Sequence, residues 1–223
     1  MNKFLIKIIS LLSIFLCYFN YSFSISLKEI TTTKNTKEFS YKVTIPNIKN
    51  CSTPQENLFN DNINDFKNLS IDNFLENISF LDEENSISTL NISSEIFKNS
   101  LNIFSIFIQG HTYINNTHGE ILIKTYNLDS SSGDMLSIEN ILSNNGIKFL
   151  ENKIQNNINK NLISKSEEKI YFTNAKVNLK KTHIFFKNKK VIIVFDTYVI
   201  GPYSSGTPTF EFNLATIKKY LKI

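Results

Sequence analysis

Three histidines, His111, His118 and His183, are the side chains of this sequence best suited to move a proton near neutral pH. Metal ligation or general-base work needs at least two of them converging with a carboxylate. His111 and His118 flank one connection and Glu120 follows it, so this connection is where a surface metal site would have to form. With no Cys or Asp ligand in that spacing, solvated or hydrogen-bonded loop histidines are the expected reading, and no metal or cofactor is expected. His183 opens a strand and reads as a sheet-edge residue. Serines are abundant, but no Gly-x-Ser-x-Gly elbow occurs, and Ser204-Ser205 has no assigned histidine. Cys51 sits in an Asn-rich loop before a helix start, where a lone thiol is usually incidental. No catalytic residue is assigned.

A second cluster joins Asp196, Tyr198 and Tyr203. A strand that runs into Gly201-Pro202 and on through Gly206 and Pro208 makes a shaped loop, since glycine and proline each restrict the turn types available. Rigid loops at strand ends are frequent binding surfaces, and tyrosine offers both a flat apolar face and a hydroxyl. The alternative is that 202–208 merely joins two strands and Tyr203 packs inward.

The elements that must carry these residues follow from periodicity. Phe39, Tyr41, Val43 and Ile45 alternate with polar neighbours as a half-buried strand does, and Pro46 is expected to end it. Thr53-Pro54-Gln55-Glu56 is a helix start, with Thr53 as cap, Pro54 at the first helical position and Glu56 completing a capping box. Phe59, Ile63 and Phe66 then recur at helical spacing. The segment 71–94 has mixed periodicity and does not divide. Residues 103–108 and the alternating 121–128 read as strands joined by the polar connection 111–119. A tight turn follows at 128–134, and Asn145-Gly146 breaks the pattern. Phe149, Leu150, Ile154, Ile158 and Leu162 mark a helix with one apolar face. A hairpin is expected over 184–187 and 191–195, then a short strand at 209–214 and a helical turn or two over 215–221. Strands outnumber helices and short reversals join them. The fold class is therefore α+β, a mainly antiparallel sheet with helices packed on one face, in two successive sub-domains, 25–100 and 101–223.

Residues 1–24 have the layout of a secretory signal: Lys3 and Lys7, an apolar stretch over 8–19, and the small-x-small site Ser22-Phe23-Ser24. The apolar run is shorter than the roughly 20 residues that span a bilayer, which favours cleavage over retention as an anchor. The mature chain should be exported, periplasmic or secreted, and not membrane-spanning. With 24 basic and 20 acidic residues in the whole chain, no electrostatic footprint for nucleic acid exists. Every basic residue is lysine, so no guanidinium fork is available for bidentate recognition of phosphate. Only Cys51 remains after the signal, so the mature fold must stand on its core without an internal disulfide.

Three segments resemble a known family. Asn115-Asn116-Thr117-His118-Gly119, then Tyr126-Asn127-Leu128-Asp129 with Ser132-Gly133, and finally Phe195-Asp196-Thr197-Tyr198 with Gly201-Pro202-Tyr203-Ser204-Ser205-Gly206-Thr207-Pro208 are similar to a domain of exported bacterial proteins. That domain occurs in RsiV-type anti-sigma factors, which sense lysozyme, and beside the catalytic domain of PdaC-type peptidoglycan deacetylases. The stretch from Tyr41-Lys42-Val43-Thr44-Ile45-Pro46 through Phe66 resembles its usual N-terminal partner, a PdaC-associated module of a strand and an asparagine-rich helix. RsiV-type sensors carry a sigma-binding segment and a membrane span before this domain. Only a few residues precede the apolar run here, so the anti-sigma role is not expected. The Asp-Asp and His-x-x-x-His metal motifs of the deacetylase domain are absent.

The resemblance implies an exported, non-enzymatic binding or sensor module whose partner is a cell-wall glycan or a wall-acting envelope protein such as lysozyme. Its binding residues are expected to be His118, Gly119, Asp196, Tyr198, Tyr203, Ser204, Ser205, Gly206 and Pro208. The competing readings are an envelope deacetylase or hydrolase using His118 with Glu120 or Asp196, and a structural envelope protein.

Overall fold

A computed structural model describes residues 25–79, 87–114, 119–163 and 170–223; the signal segment and His118 lie outside the described residues. Five strands, β1 (Leu27–Asn35), β2 (Phe39–Ile48), β3 (Ser88–Lys98), β4 (Ile103–Tyr113) and β5 (Glu120–Asp129), form one sheet in chain order. Its pairs are antiparallel except β2 with β3. A parallel pair cannot be closed by a hairpin and needs a long crossover. The helix α1 (Pro54–Ser79) supplies most of it.

α1 begins where its capping chemistry predicts. Glu56 Oε2 accepts from the Ser52 N–H at 2.6 Å and the Thr53 N–H at 3.2 Å, while Thr53 Oγ1 accepts from the Glu56 N–H at 3.2 Å. Phe59, Ile63 and Phe74 are then fully buried against Val43, Ile45, Leu90, Ile92, Ile106 and Ile108 of the sheet. Each such side chain contributes about 1.5–3 kcal/mol of burial. Pro46 does not end β2, which runs to Ile48; it pairs with Glu29 of the edge strand β1. Proline is tolerated next to an edge strand when its missing donor is not needed.

A short helix α2 (Ile138–Ile141) and the longer α3 (Asn144–Ile163) lead to a second sheet of β6 (His183–Lys187), β7 (Lys190–Val194) and β8 (Thr209–Asn213), all antiparallel; the short α4 (Leu214–Ile217) follows. Ile147, Leu150, Ile154 and Ile158 of α3 bury against Ile184, Phe186, Val191, Ile193, Phe195 and Phe210. The opposite face of that sheet, Phe185, Ile192 and Val194, packs on Phe97, Phe107, Ile121 and Ile123 of the first. The layers therefore run helix, sheet, sheet, helix, and the mainly antiparallel α+β reading holds. Residue 100, the expected divide between sub-domains, falls in the turn between β3 and β4 of the first sheet.

The sheets are joined by buried side chains as well as by apolar contact. The outer edge of β6 would leave backbone groups of Ile184 and Phe186 unpaired, at a cost of about 1–3 kcal/mol each if buried without partners. Thr125 Oγ1 accepts from the Ile184 N–H at 3.2 Å, and Asn127 Nδ2 donates to the Ile184 carbonyl at 2.8 Å. Ser105 Oγ accepts from the Phe186 N–H at 3.0 Å and donates to Asn127 Oδ1 at 2.7 Å. The closed network fixes how the second sheet, and every loop on it, sits on the first.

Candidate functional site

The loop 196–208 leaves the end of β7 and returns into β8, and its two ends are tied by the Phe195 N–H donating to the Pro208 carbonyl at 3.0 Å. Asp196 opens it with a turn, its carbonyl accepting from the Val199 N–H at 3.3 Å. Ile200 is fully buried in the α3-side core, and its carbonyl accepts from the Phe172 N–H at 2.9 Å. Gly201 packs so closely on the backbone at Ile170 that an added Cβ would lie 2.3 Å from the Ile170 carbonyl oxygen, which only glycine permits. Ser205 Oγ donates to the same carbonyl at 2.6 Å. A single 3-10 turn over Tyr203–Ser205 closes with the Gly206 N–H on the Tyr203 carbonyl at 2.9 Å, and Gly206 takes φ +60° to leave it.

Tyr203 is half-buried, and its hydroxyl donates to the Gly119 carbonyl in the β4–β5 connection. The loop on the second sheet is thus pinned to the first. Of the expected site residues, Gly119 and Tyr203 are joined directly, and Ser205, Gly206 and Pro208 hold the loop's shape. Ser204 is exposed on the turn. Tyr198 is different: it is 63% exposed, its ring lies 5.9 Å from that of Tyr203 at 35°, and its backbone φ is +66°. A bulky residue at positive φ costs of order 1–3 kcal/mol and persists only where its surroundings impose it. With its exposed neighbour Val199, Tyr198 makes an apolar and aromatic surface on the loop.

Asp196 does not face this surface alone. His183 Nε2 lies 2.9 Å from Asp196 Oδ1, a pairing that reading His183 as a plain sheet-edge residue missed. His111 is exposed on β4, opposite Ile121. Cys51 donates to the Ile48 carbonyl at 3.5 Å and receives Asn60 Nδ2 at 3.0 Å, and burial, followed by the charge of Glu56, pushes its thiol pKa up, away from thiolate chemistry. Asp129 serves its own turn, accepting the Ser131 and Ser132 N–H groups at 2.8 and 3.1 Å. Among the described residues no three His, Cys, Asp or Glu side chains gather as metal ligands would. No helix of the described residues is long and apolar enough to cross a membrane.

A feature outside the expected set is a groove of about 390 Å³ between the sheets, beside the return of the loop at Thr207. It was invisible in the sequence because its walls come from β3, β4, β6, β7 and β8 together.

Residues 139–215, which include the whole loop, match a family model described as Protein of unknown function (DUF3298). Solved structures share the fold, among them two of DUF3298 proteins. A DUF3298 family member from Bacteroides fragilis is 12% identical with a TM-score of 0.64, covering 91% of this chain and 95% of that one. A DUF3298 family protein from Pseudomonas aeruginosa is 11% identical with a TM-score of 0.57, covering 90% and 96%. Comparison with curated proteins yields no match.

Proposed function

We propose that the chain is an exported binding module of the cell envelope that recognises a wall-acting protein or peptidoglycan through the surface of the 196–208 loop. The observation that carries this reading is Tyr198, an exposed ring held at positive φ by a loop pinned through Tyr203, Gly201 and Ser205. A preorganised aromatic loses little conformational freedom on binding, which is how such side chains come to dominate interfaces. The signal-like N-terminus and the resemblance to RsiV-type and PdaC-associated domains support the envelope as the place of action. Capture of lysozyme or of purified peptidoglycan by the immobilised protein, beside a Tyr198→Ala variant, tests it. Specific capture lost in the variant is the expected result, and no capture of either partner overturns the reading.

A further inference from the structure

The groove between the two sheets is a second place where a ligand could enter, and its chemistry is more particular than that of the loop. Phe107 and Phe185 stack at 4.8 Å and 27° and, with Ile192 and Val194, form an apolar floor. Two ion pairs stand on the rim, Lys187 with Glu95 at 3.2 Å and Lys190 with Glu211 at 2.6 Å. The rim charges balance, so the groove does not select an anion or a cation. Each lysine retains donors and each carboxylate retains acceptor sites beyond its pair, so the rim can serve both senses of hydrogen bond. Half-buried Gln109 also lines the groove, and its side-chain amide has no hydrogen-bond partner among the described residues. An amide offers a donor and an acceptor at once. The volume of about 390 Å³ lies in the range of small-molecule sites.

The groove suits a ligand of no net charge that carries donors and acceptors around its edge and presents an apolar face to the floor. We propose that the groove binds a short neutral saccharide of acetylated amino sugars, with ring C–H faces and acetyl methyls on Phe107 and the polar edge on Gln109 and the rim pairs. The choice of glycan rests on the envelope reading above; the location does not, because the groove and Tyr198 are separate surfaces.

The test is a titration of the isotope-labelled protein with N,N′-diacetylchitobiose, followed by amide chemical shifts and calorimetry, with the de-N-acetylated, cationic disaccharide as comparator. The expected result is saturable perturbation confined to 107–109, 185–192 and 207–211, absent or much weaker with the comparator. Gln109→Ala should weaken binding about tenfold, the equivalent of one hydrogen bond to ligand. Phe107→Leu provides a second variant, and the spectrum itself reports whether each variant is folded. No saturable shift, perturbation elsewhere, or equal response to the cationic disaccharide overturns the inference. Loop-dependent capture of an envelope partner without disaccharide binding would remove the groove alone. Disaccharide binding in the groove without capture would remove the Tyr198 reading alone.

Discussion

His183 Nε2 and Asp196 Oδ1 stand 2.9 Å apart, linking the first residue of β6 to the first residue of the 196–208 loop. The imidazole is 18% exposed and the carboxylate 44%, so water screens the pair and its net worth is about 0–1 kcal/mol. Its effect is positional, because it sets the angle at which the chain leaves β7. His183→Leu is therefore expected to change the unfolding free energy by less than about 1 kcal/mol. It should nevertheless speed hydrogen exchange at Val199, whose N–H donates to the Asp196 carbonyl. Unchanged exchange at Val199 would show that the loop is placed without this contact.

The network between the sheets should be far more sensitive. Ser105 is fully buried and its hydroxyl serves both Phe186 and Asn127. Ser105→Ala leaves the Phe186 N–H and one lone-pair direction of Asn127 unpaired in the interior, with an expected loss of about 1–3 kcal/mol. Asn127→Ala additionally frees the Ile184 carbonyl and should cost at least as much. Urea denaturation of the two single variants and the double variant measures this. Because the residues share one network, the double variant should lose less than the sum of the singles.

Acid should weaken the turn after β5. The side-chain hydrogen bond from Ser131, followed by backbone donors of Ser131 and Ser132 and opposed by burial, holds the Asp129 pKa below its ordinary value. A carboxylate depressed in the folded state contributes stability that is present above its unfolded pKa, about 3.9, and is lost as pH falls through the lower folded value. The urea midpoint of the wild type should therefore drop between about pH 5 and about pH 2 by more than that of Asp129→Asn, which cannot titrate there. Parallel acid limbs for the two proteins would rule out this contribution.

Much of the fold can be read where a single element declares itself. The capping box at Thr53 and Glu56, the apolar stripe of α3 and the β6–β7 hairpin all appear as expected, because their signals are local. The hairpin turn is Asn188-Lys189, both at positive φ, a conformation that asparagine tolerates and lysine does not announce. Strand β1 escaped notice because it is an edge strand whose residues are mostly exposed, so no hydrophobic alternation marks it. The parallel β2–β3 pair was hidden for another reason: parallel pairing is set by the crossover through α1 and leaves no turn signature. At the site, the Gly-Pro and Ser-Gly punctuation correctly indicated a shaped loop. Which tyrosine faces outward depended on contacts with Gly119 and Ile170, each more than 25 residues away in sequence by the separations of 84 and 35. The His183–Asp196 pair required the strand register, which places His183 opposite Val194, and no periodicity in either segment encodes that.

Tyr198 allows stability and binding to be separated in one residue. Its φ of +66° is a conformation that costs a bulky side chain of order 1–3 kcal/mol and glycine almost nothing. Glycine returns about 0.5–1 kcal/mol of that gain through its greater freedom in the unfolded chain. With the ring mostly exposed, little burial is lost apart from its contact with Tyr203 at 5.9 Å. Tyr198→Gly should therefore unfold at equal or higher urea concentration than the wild type, by up to about 1 kcal/mol, while losing capture of the envelope partner. A structural role for the ring predicts the reverse, a less stable protein with capture intact. Tyr203→Phe provides the contrast within the same loop: without the hydroxyl that donates to Gly119 it should lose about 0.5–1.5 kcal/mol. Strain retained at an exposed aromatic, on a loop that the rest of the molecule holds rigid, is the arrangement expected when the side chain is kept for a partner.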